Sequence, residues 1–242
     1  MLLMGIIMSL KAGGKRSNMK EEFIALLNNT FNQQPVATPP GEQEALDVTP
    51  EDIFYYIYAT LYSNTYREKY QEFLKIGFPR VPFTKDYKLF QKLAELGKKL
   101  VDLHLLKSPE LNKPFAKFWG DGSNLVGMRK FIDEEQAAEF VDIKVASFWP
   151  DAGENPEFKS RGIVKINDDG QFFGPVPEEV WNYYIGGYQV LDKWLKDRKG
   201  RRLSADDIKH YCRIVTALAK TIEVQKEIDK FYPKVEKDLI IS

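Results

Sequence analysis

Gly162-Ile163-Val164-Lys165-Ile166-Asn167-Asp168-Asp169-Gly170-Gln171-Phe172-Phe173 decides the fold class. Its first five residues alternate apolar and polar, the period of a strand with one buried face. Asn167 to Gly170 is a tight-turn sequence, and Gln171-Phe172-Phe173 opens the next strand. Upstream, Val141-Asp142-Ile143-Lys144-Val145 alternates in the same way, and Asp151 to Pro156 is a turn-rich connection. Trp119-Gly120-Asp121-Gly122 is turn-like. The stretch from Lys113 to Phe173 therefore predicts a small antiparallel sheet.

Both flanks carry helical periodicity. Met19 to Asn29 reads as a short amphipathic helix, and the prolines between Thr30 and Asp47 read as a loop. Thr49-Pro50-Glu51-Asp52 starts a second helix, because Thr caps, Pro suits the first turn and acids suit the dipole. It runs to Leu61. Tyr66 to Ile76 reads as one further helix, stopped by Gly77 and Pro79. Thr84 reads as the cap of a long helix reaching about Leu106. Pro177 to Tyr184 and Tyr188 to Asp197 read as helices. Ser204-Ala205-Asp206-Asp207 caps a last long helix that Pro233 stops. The expected fold is α+β, mostly helical with a small antiparallel sheet inserted around residues 113–175. The expected divisions are residues 1–18 as a junction or linker, 19–111 as a helical scaffold, 112–175 as the β-rich segment, and 176–242 as a C-terminal helical segment packing on the scaffold.

At 242 residues with 43% hydrophobic content, the chain has enough apolar mass for a real core. Thirty-five basic and 35 acidic residues leave no net charge, so any nucleic-acid role must rest on a local patch. The single Cys excludes an internal disulfide and fits a reducing, cytoplasmic compartment. Met1 to Leu10 is apolar but too short to span a bilayer, and it lacks the leading charge of a secretory signal. No membrane partner is expected.

The motifs of the common chemistries are missing. There is no G-x-x-x-x-G-K-[ST] phosphate loop and no G-x-G-x-x-G. His104, His210 and Cys212 are too few for a closed zinc site. Pro150-Asp151 followed by Glu157-Phe158-Lys159 has the outline of a metal-dependent nuclease motif. Asp151 and Glu157 are joined by a Pro-broken loop rather than supplied by two strands, so the match reads as coincidence. Asn155-Pro156-Glu157-Phe158 lacks the second proline of the amino-methyltransferase motif.

Gly174 to Arg202 is the most unusual run. It combines Trp181, Tyr183, Tyr184, the Gly186-Gly187 pair, Tyr188 and Gln189 with Lys196, Arg198, Lys199, Arg201 and Arg202. Cations suit a helix C-terminus, and a cluster this dense also suits phosphate. Together with Thr49–Ala59 (TPEDIFYYIYA) and Phe78–Thr84 (FPRVPFT), this run resembles the C-terminal specificity region of Type ISP and related single-chain restriction–modification enzymes. The resemblance covers most of the chain from about Lys20 onward and is least in Lys113–Phe173.

The resemblance implies a target recognition domain that binds double-stranded DNA and carries no catalytic motif itself. It implies that methyltransferase, ATPase and nuclease parts lie upstream in a parent polypeptide. S-adenosylmethionine, ATP and magnesium would serve only those parts, with no cofactor in this chain. Met1 to Leu10 would then be the junction with the methyltransferase part. On this reading Lys196, Arg198, Lys199, Arg201 and Arg202 hold the DNA backbone. Lys117, Lys159, Arg161 and Lys165 present side chains to a groove. Asn124, Arg129 and Gln171 are further candidates, and Tyr188 and Gln189 sit where the Gly pair permits close backbone approach. The alternative is a helical docking module that braces a neighbouring catalytic domain and has little DNA affinity alone. A third reading, a nuclease using Asp151, Glu157 and Lys159, requires metal-dependent cleavage.

Overall fold

The computed structural model describes residues 8–11, 14–17, 19–33, 47–140 and 161–240. It is α+β, mostly helical with one four-stranded antiparallel sheet, in which Lys117–Trp119 pairs Phe172–Pro177, which pairs Arg161–Lys165, which pairs Lys130–Asp133. The chain divides into two compact units. One is Met1–Val101 with Glu223–Ser242, and the other is Asp102–Ile222.

The first unit opens with a two-stranded hairpin, β1 (Met8–Lys11) and β2 (Gly14–Ser17), where a linker was expected. Helix α1 spans Glu21–Asn32 and so runs past Thr30, where a loop was predicted. Helix α2 (Pro50–Tyr62) begins as the sequence requires. Thr49 accepts from the Asp52 backbone N–H, and Asp52 accepts from the Thr49 N–H, a complete capping box.

The helix expected over Tyr66–Ile76 is instead two, α3 (Asn64–Lys69) and α4 (Gln71–Ile76), broken at Tyr70. The cap is Ser63, whose hydroxyl accepts from the Tyr66 N–H and donates to Asp229. Helix α5 (Tyr87–His104) starts later than predicted. Asp86 accepts from the Leu89 N–H, and Thr84 stands one step outside, accepting from the Asp86 N–H.

The core of this unit combines Leu27 and Phe31 of α1, Ile53, Tyr56 and Ala59 of α2, and Phe90, Leu93, Leu96 and Leu100 of α5. Ile228, Tyr232 and Val235 of the last helix, α9 (Ala205–Val235), complete it. Helix α9 continues two residues beyond Pro233, where a stop was expected. Pro233 has no N–H to give the carbonyl four residues back, and the helix ends within a turn of it.

The second unit holds the sheet: β3 (Lys117–Trp119), β4 (Lys130–Asp133), β5 (Arg161–Lys165) and β6 (Phe172–Pro177). Helix α6 (Glu134–Phe140) follows β4. The predicted strand Val141–Val145 lies outside the described residues, as do Asp151, Glu157 and Lys159.

Alternation separates two sheet faces, and a register shift between Gly162 and Val164 puts both Phe173 and Val176 on one of them. Val164, Phe173 and Val176 join a core with Leu191, Leu195, Tyr211, Val215 and Leu218, and Phe173 meets the Tyr211 ring at 4.2 Å between centroids. Ile163 and Phe172 instead join Ile132, Ala137 and Trp119 in a smaller cluster.

The predicted helix Pro177–Tyr184 is cut to one turn, α7 (Glu178–Trp181). A hairpin of β7 (Tyr184–Ile185) and β8 (Tyr188–Gln189) replaces the helical reading around the Gly pair. Gly186 and Gly187 both have positive φ, 56° and 83°. That pair of conformations forms the two-residue turn whose twist matches a hairpin. Helix α8 (Val190–Lys196) follows, and Ser204 with Asp207 forms the expected capping box of α9.

Candidate nucleic-acid interface

The basic run after α8 is a fixed turn. The Arg201 N–H donates to the Arg198 carbonyl at 2.9 Å and the Lys199 N–H to the Lys196 carbonyl at 3.2 Å. The turn is then bonded to the β3–β4 loop. Gly200 N–H donates to the Val126 carbonyl (2.9 Å), Val126 N–H to the Arg201 carbonyl (3.0 Å), and Leu203 N–H to the Asn124 carbonyl (2.8 Å). Arg202 donates from its guanidinium to the Ser123 carbonyl at 3.1 Å.

That loop is in turn held by Gln171, which is 1% exposed. Gln171 Nε2 donates to Asn124 Oδ1 and to the Gly120 carbonyl. Its Oε1 accepts from the Asn124 N–H and from Asn167 Nδ2. Asn167 also donates to the Leu125 carbonyl. Buried amides with every donor and acceptor engaged specify one geometry. Asp169 closes the outer side by accepting from the Ser123 N–H and hydroxyl. These bonds, with Arg202 nearby, hold its carboxyl below the usual range.

The five cations of the run are therefore not equivalent. Arg198 stacks its guanidinium 3.5 Å over the Trp194 ring, donates to Asp207 Oδ1 at 3.2 Å and to the Trp194 carbonyl at 3.1 Å. Lys196, Lys199 and Arg201 are exposed. Arg202 is exposed but tied to the loop.

The sheet candidates lie along three strands of the second unit, with Arg161 and Lys165 at opposite ends of β5. Lys165 closes β5, lies opposite Lys130 of β4, and reaches Asp168 at 3.9 Å with its side chain mostly buried. Lys117 is exposed on edge strand β3, opposite Gly174. By alternation Lys117, Lys130 and Lys165 share the sheet face of Trp119, Ile163 and Phe172. Arg161 starts β5 with Pro177 as its backbone partner, and Lys159 lies outside the described residues. Sequence reasoning missed Lys130. Lys130-Phe131-Ile132-Asp133 does not alternate, so no local period marked it.

Three candidates are committed elsewhere. Gln171 is the buried organiser of the loop and does not project to a groove. Asn124 gives its side-chain oxygen to Gln171 and holds a left-handed backbone, φ 57°. Arg129 pairs with Asp192 at 2.7 Å. Gln189 donates to the Trp181 carbonyl at 2.5 Å, whereas Tyr188 is exposed.

A family model described as the Type ISP C-terminal specificity domain matches residues 7–227. The chain belongs to this family.

Three solved structures share the fold of this specificity domain. A nuclease-deletion mutant of the Type ISP restriction–modification enzyme LlaGI, in complex with a DNA substrate mimic, is 18% identical with a TM-score of 0.50. It covers 92% of this chain and 17% of that one. The DrdV–DNA complex, solved by cryo-EM, is 20% identical with a TM-score of 0.61, covering 91% and 21%. The ATP-dependent Type ISP restriction–modification enzyme LlaBIII bound to DNA is 18% identical with a TM-score of 0.54, covering 97% and 14%. The specificity domain thus spans between 14% and 21% of these enzymes' lengths. No curated protein matches the chain.

Among the described residues of the domain, no three His, Cys, Asp or Glu side chains group as a metal site. Nor is any described helix long and apolar enough to cross a membrane.

Proposed function

We propose that this specificity domain reads a double-stranded DNA target for a restriction–modification enzyme and is not itself catalytic. The observation that carries the reading is the basic turn at Lys196–Arg202. Main-chain bonds to Asn124 and Val126 fix its position, and Lys196, Lys199 and Arg201 stand exposed on it. A fixed cationic turn meets the regularly spaced phosphates of a duplex without first losing loop entropy.

Lys196, Lys199 and Arg201 hold phosphates in this scheme, with Arg202 and Arg198 setting the turn's shape. Lys117, Lys130, Lys165 and Arg161, with Lys159 from the same connection, serve the groove side. Base contacts from this face confer sequence preference, while the turn's contacts only position. S-adenosylmethionine, ATP and magnesium belong to other parts of a longer polypeptide, including the methyltransferase part as covalent partner.

Selection of the purified chain against a randomised duplex pool, sequenced at two salt concentrations, tests this. One enriched asymmetric motif is expected. Salt-sensitive binding without enrichment would leave the phosphate turn and remove the base-reading role.

A second reading has its own support in the first unit. Phe73, Ile76 and Phe78 are exposed, with Phe78 at 90%, around a groove of about 970 Å³ lined by Tyr66, Tyr70, Pro79 and Val81. Exposed apolar surface of this kind marks protein contact. It favours a bracing role against a neighbouring catalytic domain. Absence of DNA binding at low salt would select this reading.

A further inference from the structure

The tip of the β7–β8 hairpin is apolar where a soluble domain ordinarily places polar groups. Tyr184 is 57% exposed, Ile185 41% and Tyr188 62%. Ile185 and Tyr188 are paired across the strands and share one face of the hairpin. Tyr184, paired with Gln189, falls on the other. The result is a thin blade with an aromatic ring on each face. A surface apolar on one side suits a flat partner. A blade apolar on both sides suits a slot with two apolar walls.

The blade is stiff. Its turn uses two left-handed glycines, with open space around both. Its base is anchored by the Gln189 amide on the Trp181 carbonyl and by the Val190 N–H on the Tyr183 carbonyl, 3.1 Å. It also stands beside cations. Lys193, bonded to Asp197, places Nζ 5.9 Å from the Tyr188 ring centroid, and Lys196 and Lys199 follow on the same helix and turn. Glu178 and Glu179 of α7 precede the hairpin. A polyanion therefore meets the blade from the α8 side.

We infer that the Tyr184–Tyr188 hairpin enters duplex DNA and stacks its rings on base faces at a partly opened step. This rests on the DNA-reading role proposed above. The slot between two base pairs has two flat π-faces, and apolar wedges commonly unstack such steps. Aromatic stacking on bases is tolerant of sequence, so the hairpin adds affinity while the sheet supplies preference.

The test is fluorescence anisotropy of the full chain with fluorescein-labelled random-sequence duplexes, fully paired or carrying one central mismatch, at several salt concentrations. A mismatch lowers the cost of opening. The wild-type chain is expected to favour the mismatched duplex several-fold. Tyr184→Ala/Tyr188→Ala should lose that preference and bind about 5-fold or more weakly, with an unchanged salt slope. Tyr188→Trp should retain both. Thermal melting of the variants, whose changed side chains are solvent-exposed, confirms folding.

Equal binding of the double variant and the wild type to both duplexes would overturn the inference alone. So would weaker binding with a flattened salt slope, which would make the hairpin a phosphate contact. Failure of the wild-type chain to bind any duplex would remove the DNA-reading role and this inference with it.

Discussion

Gln171 and Asn124 bond reciprocally: Gln171 Nε2 donates to Asn124 Oδ1 at 2.7 Å, and Gln171 Oε1 accepts from the Asn124 N–H at 2.7 Å. The Asn124 carbonyl then accepts from Leu203 beside the basic turn. One buried amide thereby sets the position of cations that are remote in sequence. Gln171→Leu strands the Asn124 and Asn167 donors and the Gly120 acceptor, which should cost about 2–3 kcal/mol. Among the described residues the tryptophans, Trp119, Trp181 and Trp194, all belong to the second unit. Tryptophan fluorescence during urea unfolding will show the lowered midpoint.

Arg198 and its neighbours should separate in two assays. Arg198→Ala loses the Trp194 stack and the Asp207 bond, and its partly exposed position limits the loss to about 1 kcal/mol of stability. Arg198→Lys should not restore it, because an ammonium lacks the planar fork. Lys199→Ala and Arg201→Ala should leave the urea midpoint unchanged. Each should instead reduce the slope of log affinity against log salt by about 0.9, measured by anisotropy with duplex DNA.

The close approach of α2 and α5 occurs at Gly97. A Cβ there would sit 1.8 Å from the Tyr55 carbonyl oxygen and 3.2 Å from the Ala59 nitrogen. Neither atom is the end of a flexible side chain, so the helices must separate. Gly97→Ala should destabilise the first unit by about 3 kcal/mol, read by far-UV circular dichroism in urea.

Acid should weaken the second unit through Asp207. The Ser204 N–H and hydroxyl, and then Arg198, hold its carboxyl below the ordinary value. A folded-state pKa lowered in this way adds stability that is complete above the unfolded value of about 3.9. That stability is lost as pH falls through the folded value. Ser204→Ala removes a donor to the carboxylate, so its urea midpoint should fall less steeply than the wild type's below pH about 4. Equal slopes would deny the linkage.

Cys212 is the only cysteine, and burial pushes its thiol up to about 12. The thiolate is the reactive form, so iodoacetamide should leave the folded protein unlabelled at neutral pH. Labelling should appear with urea at the midpoint that tryptophan reports, since both probes lie in one unit.

Much of the fold was legible because its signals are local. Thr49 with Asp52 and Ser204 with Asp207 are capping boxes whose partners stand three residues apart. The strand at Gly162–Ile166 was legible as a strand, but both its faces are buried, Val164 in one cluster and Ile163 in another, where one buried face was expected. Helices expected over Pro177–Tyr184 and Tyr188–Asp197 give up Tyr184 and Tyr188–Gln189 to a hairpin. The Gly186-Gly187 turn decided otherwise, through two positive φ values that a helix does not contain. The start of α3 likewise depends on Ser63 and Asp229, which meet across 166 residues of chain.

The family was readable from Thr49–Ala59, Phe78–Thr84 and Gly174–Arg202, and the class from alternation and capping. By itself the sequence determined the capped helix starts and the class of the fold, because periodicity and caps act over a few residues. Only the tertiary structure decided what each charged or amide side chain does. It tied Arg198 to Trp194, Arg202 to a carbonyl 79 residues away and Gln171 to Asn124 at a separation of 47. It left Lys196, Lys199 and Arg201 in solvent. Commitment depends on which segments the packed sheet brings within hydrogen-bond reach, and no local spacing encodes that.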